Sequence, residues 1–182
     1  MSRADFDRFV QRKQEEKAQS DSFDPKQQLA DWLERLDALY TEIGNFLTPY
    51  IDAGKARTEF RPIQMNEEFS GPYEARQMLL SIGTSTIIFK PIGTMLIGSK
   101  GRVDVQGPRG SARLGLINRT VTHARQLIQV RVSLPGDRPH APEPSSEKIE
   151  WEWKIITPAP EMKFIEFNED NFFDMLLSVA DA

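Results

Sequence analysis

Between Thr86 and Leu134 the chain alternates apolar and polar residues in short runs. Val103 and Val105 alternate with Arg102, Asp104 and Gln106; Ala112, Leu114 and Leu116 alternate with Arg113 and Gly115; Ile128, Val130, Val132 and Leu134 alternate with Gln129, Arg131 and Ser133. Successive side chains of a strand point to opposite faces, so this pattern predicts antiparallel hairpins with one apolar and one polar face. If the Gly107-Pro108-Arg109-Gly110 connection holds an even number of residues, Val105 meets Ala112 and Val103 meets Leu114. The same register sets Asp104 across from Arg113 as a cross-strand ion pair. A Ser99-Lys100 turn would place Leu96 opposite Val103 and Thr94 opposite Val105. Further strands are expected from Thr58, over Met78 to Ile82, Ile87 to Phe89 and Thr94 to Ile97, then around Ile149, Trp151, Trp153 and Ile155, and from Lys163 to Phe167.

A different period governs residues 25–53. Leu29, Leu36, Ile43 and Tyr50 recur every seven positions, Trp32, Leu39 and Phe46 follow the same spacing, and Leu33, Tyr40 and Leu47 widen the stripe. This predicts a long amphipathic helix, capped by Asp24 with Pro25 as its first residue and ended by Pro49 and Gly54. At 1.5 Å per residue it would run roughly 40 Å. Asp31 and Arg35 are spaced for a pair on its wet side. A second helix is expected after Asn168, with Phe172, Phe173, Leu176, Leu177 and Val179 as its apolar face.

These elements predict an α+β fold: an N-terminal helix, an antiparallel meander of about seven to nine strands, curved or forming a half-barrel, and a C-terminal helix packed on the sheet. Residues 1–24 read as a polar arm or frayed helix, and 25–182 as a single domain with a flexible proline-rich loop at 135–146.

The formal net charge is −4, which argues against a generally basic nucleic-acid binder, yet the charge is segregated. From Lys100 to Arg131 the cations Lys100, Arg102, Arg109, Arg113, Arg119, Arg125 and Arg131 face Asp104 alone, whereas ten acidic residues follow Ala141. Arg102, Arg113 and Arg131 fall on the polar sides of strands, a face able to hold phosphate, a nucleic-acid backbone or an acidic protein through bidentate contacts. It lacks the interleaved aromatics of single-strand binders.

Other chemistry is thinly represented. With no cysteine there is no disulfide or thiolate site, and two histidines, His123 and His140, weigh against zinc. The glycines between Gly93 and Gly115 match no phosphate-binding loop and read as hairpin turns. Glu67 with Glu68 and Glu150 with Glu152 read as solvated surface, and no cofactor motif is visible. The first residues hold no apolar stretch, so no secretory signal is expected, and no apolar run approaches the ~20 residues that cross a bilayer. The expectation is a soluble, cytoplasmic protein.

The Pro91 to Arg113 stretch, the Trp151-Glu152-Trp153-Lys154-Ile155 strand and the Phe172-Phe173-Asp174-Met175-Leu176-Leu177 helix resemble a group of uncharacterised bacterial proteins of similar length. The resemblance covers roughly the C-terminal two-thirds of the chain and implies a bacterial origin, with no activity or residue role attached. The leading expectation is a non-catalytic binding or assembly module using the arginine face or the N-terminal helices, with a protein partner or a further copy of itself. Nucleic acid or another polyanion ranks behind. The alternatives are a small-molecule binder with an apolar cavity lined by Phe89, Trp151 and Trp153, and an enzyme using His123 or a carboxylate pair.

Overall fold

The computed structural model describes Val10 and residues 24–68, 70–94, 99–123, 150–160 and 162–180. They form helix α1 (Pro25–Asp52), strands β1 (Ala56–Glu67), β2 (Gly71–Ile82), β3 (Ser85–Gly93), β4 (Ser99–Gln106), β5 (Ser111–Asn118), β6 (Trp151–Ile156) and β7 (Phe164–Glu166), and helix α2 (Glu169–Ala180). The fold is α+β, with seven described strands in one antiparallel sheet of order β1-β2-β3-β4-β5-β6-β7 and β1 and β7 at its edges. The Ile128 to Leu134 strand, the arm before Asp24 and the 135–146 loop lie outside the described residues.

The β4–β5 register follows the alternation. Val103 pairs with Leu114, Asp104 with Arg113 and Val105 with Ala112. Upstream the expectation fails: Val105 lies opposite Phe89 and Val103 opposite Pro91, because β3 is one strand that runs through Pro91 to Gly93. The ladder shifts between Pro91 and Gly93, so a bulge takes up the irregularity that the sequence suggested as a break. β2 likewise starts at Gly71, well before Met78, and pairs with β1 along its whole length. Pro62 sits on β1, an edge strand of the described sheet, where a residue without an N–H is tolerated.

α1 starts as expected, with Asp24 Oδ1 accepting from the Lys26 N–H at 2.9 Å. Trp32, Leu36, Leu39, Tyr40, Ile43 and Leu47 are buried against the sheet. The last turn accommodates Pro49, and Gly54 follows the helix at φ 68°, a left-handed position that suits glycine. Arg35 does not pair with Asp31; its guanidinium donates to the Trp151 carbonyl at 3.2 Å, and Trp153 Nε1 donates to the Arg35 carbonyl at 3.1 Å. In α2, Asn168 Oδ1 caps the Asn171 N–H at 2.9 Å. Phe172, Met175, Leu176 and Val179 enter the core, whereas Leu177, read from the sequence as core, is 63% exposed. Phe172 is the hub, in contact with the rings of Phe46, Phe89, Phe167 and Phe173.

Two glycines set how closely the layers meet. A Cβ on Gly101 would collide with the Trp32 ring, and one on Gly107 with the Val179 carbonyl. The second approach lets the Arg109 N–H donate to Val179 at 2.9 Å, pinning the end of α2 to the β4–β5 turn.

Candidate functional site

The arginine face of the sequence is divided by the structure. Arg102, Asp104 and Arg113 share the sheet face turned away from the helices, because Val103, Val105 and Leu114 between them are fully buried in the core. Arg102 is spent internally: its Nε and Nη2 donate to the two Asp104 carboxylate oxygens at 2.6 and 2.8 Å, a bidentate pair along one strand. Asp104 is thereby occupied, and the expected Asp104–Arg113 ion pair does not form although the two residues face each other. Arg113 is exposed and has no ion-pair partner among the described residues. Arg131 lies outside the described residues. The structure adds Lys90, which sequence reasoning passed over; it is exposed and pairs in register with Asp104 from the other side. Lys90, Asp104 and Arg113 thus form one row across β3, β4 and β5.

Arg113 also borders an open groove of about 600 Å3 at the end of the sheet, where the start of β5, the β6–β7 connection and α2 meet. Ile155, Ile156, Ile165 and Met175 give it apolar walls, and Asp174 stands on the α2 side.

A second groove, about 540 Å3, opens where the end of α1, the β2–β3 turn and the far flank of α2 converge. Leu47, Ile82, Ile87, Phe173, Leu176 and Leu177 line it along with Tyr50, and Lys55 is the one charged residue on its wall among the described residues. Tyr50, Ile82 and Leu177 are 46, 39 and 63% exposed, so three of the large apolar side chains left in water gather at one place. Single exposed apolar residues are ordinary on a protein surface, whereas these three are neighbours. The sequence signal existed in Leu177 and Tyr50, but both were assigned to buried helix faces.

The polar groups inside the fold read as structural. The Glu67 carboxylate at the tip of the β1–β2 hairpin accepts from the Tyr73 hydroxyl, from the Thr94 N–H at 3.1 Å and from Thr94 Oγ1 at 2.6 Å. Burial first, and then the hydrogen bond and charge of Glu67, push the Tyr73 phenol above its ordinary value. Trp32 Nε1 has no hydrogen-bond partner among the described residues, yet lies close enough to that phenol to oppose its rise. Tyr40 donates to the Arg76 carbonyl at 2.7 Å, and its phenol is also raised, by burial and then by Asp37.

Lys154 departs from the solvated strand face expected for it. It is 4% exposed, and its ammonium donates to the Arg119 and Val121 carbonyls at 2.8 Å each, so the turn after β5 folds over it. Glu150, by contrast, is exposed and bridges Arg119 at 2.8 Å. His123 forms an isolated bridge with Lys163 and contacts Thr122 Oγ1 through Nδ1 at 2.9 Å. Phe89 stacks on Phe172 and Trp153 packs on Trp32, so both belong to packed core at the positions described. Among the described residues no group of three or more His, Asp or Glu side chains is placed to hold a metal ion. Nor is any described helix long and apolar enough to cross a membrane.

No protein-family model, curated protein or solved structure matches the chain.

Proposed function

We propose that the protein is a non-catalytic assembly module whose working surface is the apolar groove between the end of α1, the β2–β3 turn and α2. The observation that carries this reading is the convergence of Tyr50, Ile82 and Leu177, all substantially exposed, on a groove with Lys55 as the one charged residue among its described lining. Burying a fully exposed Leu or Ile side chain is worth roughly 1.5–3 kcal/mol, and Tyr50, Ile82 and Leu177 still have 46, 39 and 63% of their surface to bury, so a partner that covers them has a driving force that the isolated fold leaves unused. The surrounding elements are held in place by the Phe46–Phe172 and Tyr50–Phe173 ring contacts, at 5.5 and 5.8 Å, which leaves a preformed surface.

The test is the mass of the protein extracted gently from its host, compared with Ile82→Asp and Leu177→Glu. The wild type is expected to carry protein mass beyond one chain, and both variants to lose it while unfolding at nearly the wild-type temperature at high dilution. A wild type that runs as a bare single chain would overturn the reading.

A second reading has its own observation. Lys90 and Arg113 lie exposed in one row, with Asp104 between them already neutralised by Arg102. This strip suits an acidic partner surface or another polyanion held by charge-assisted contacts. Salt-sensitive binding lost in Lys90→Glu with Arg113→Glu, and kept in Leu177→Glu, would favour it.

A further inference from the structure

We infer that the occupant of the apolar groove is a second copy of this chain, docked through Leu177 in a two-fold symmetric contact. This rests on the reading of the groove as an assembly surface and names the partner. A two-fold contact requires that one patch carry both a projection and the recess that receives it. Here both are present side by side: Leu177 projects from α2 at 63% exposure, and it forms one wall of the recess made by Leu47, Ile82, Ile87 and Phe173.

Charge completes the match. The charged residues of α2 are Glu169, Asp170 and Asp174, all acidic. Asp174 precedes Leu177 by three positions and Asp170 by seven, so both adjoin Leu177 on the exposed surface of α2, on its side toward the first groove, which Asp174 also lines. Asp170 and Asp174 are exposed and have no ion-pair partner among the described residues. Among the described residues, the groove that would receive Leu177 carries one charge, the cation Lys55, which is exposed and likewise without an ion-pair partner. Inserting Leu177 of one copy into the groove of the other brings the Asp174 carboxylate toward the partner's ammonium. Symmetry repeats the contact, giving two knobs and two opposite-charge pairs around one axis. A foreign partner would have to supply both an apolar side chain and an adjacent carboxylate; this chain already presents them in that order.

The experiment is sedimentation velocity of the purified full-length protein over a wide concentration range, with four variants. The wild type is expected to associate to a dimer, and Leu177→Glu to weaken association by more than about tenfold, as loss of a central apolar anchor does. Lys55→Glu and Asp174→Lys should each weaken it, and the Lys55→Glu/Asp174→Lys double variant should recover. A wild type that stays monomeric at every concentration, or a dimer indifferent to Leu177→Glu, would overturn the inference. If the pure protein is monomeric while the host extract still yields an added protein mass that Leu177→Glu removes, the second copy is wrong and the groove reading stands. If both measurements show a lone chain, both fall.

Discussion

The two ends of α1 treat their aromatic residues in opposite ways. At the Asp24 end, Trp32 is 1% exposed, packs its ring 6.0 Å from that of Trp153, and is met by the bare backbone of Gly101. The neighbouring polar groups are tied off, with Trp153 Nε1 on the Arg35 carbonyl and Tyr73 on Glu67. At the Asp52 end, Tyr50 rests on Phe173 with 46% of its surface in water, beside Ile82 and Leu177. The first end shows what it takes for this fold to close its core: a glycine for close approach and a partner for nearly every polar atom. Little of that closure is applied at the second end. The difference teaches that the clustering of Tyr50, Ile82 and Leu177 in water belongs to one end of α1, set apart from the closed packing at the other.

Phe172 is fully buried and touches the rings of Phe46, Phe89, Phe167 and Phe173. Phe172→Ala should therefore cause the largest loss, about 3–5 kcal/mol of folding stability by urea denaturation. A loss below about 1 kcal/mol would mean that the aromatic cluster is not built around Phe172. Gly101→Ala should come next, costing about 1–3 kcal/mol as the Trp32 ring is forced aside. A neutral result would show that the closed end has slack after all.

The closed end should also respond to alkali. Burial raises the Tyr73 phenol in the folded state above its ordinary 10.0, so the folded protein favours the neutral form. Stability is then full below pH 10.0 and falls as pH rises above it, because the unfolded chain ionises first. Tyr73→Phe should flatten that decline in a series of denaturation curves; an unchanged slope would assign the decline elsewhere. Leu177→Glu should have the smallest effect, within about 0.5 kcal/mol for the monomer, as befits a surface position. A large loss would place Leu177 in the core, where the helical pattern first put it.

How much of this was legible in the sequence depended on whether strictly local rules decided it. Asp24 and Asn168 act as helix caps as their positions indicate, and the Val103–Leu114 and Val105–Ala112 pairing follows from alternation across an even turn. Pro91 misled because a bulge absorbed it inside β3. Lys154 misled because alternation gives the face but not what lies over it; here the Arg119 and Val121 carbonyls do. The arginine face was half visible. Residue type and face were correct for Arg102 and Arg113, but alternation says nothing of which cation takes Asp104, and the neighbour two positions along the same strand won over the one across the ladder. Leu177 and Tyr50 look like core residues in a helical pattern, and only the packing of α2 against α1 shows where the core stops.

The account is tested most directly by thermal unfolding of the wild type and of Leu177→Glu at a series of protein concentrations. Association that favours the folded chain raises Tm as concentration rises. The account predicts a Tm that climbs with concentration in the wild type and stays flat in Leu177→Glu, with the two converging at high dilution. A wild-type Tm independent of concentration, or the same climb in both proteins, would contradict it.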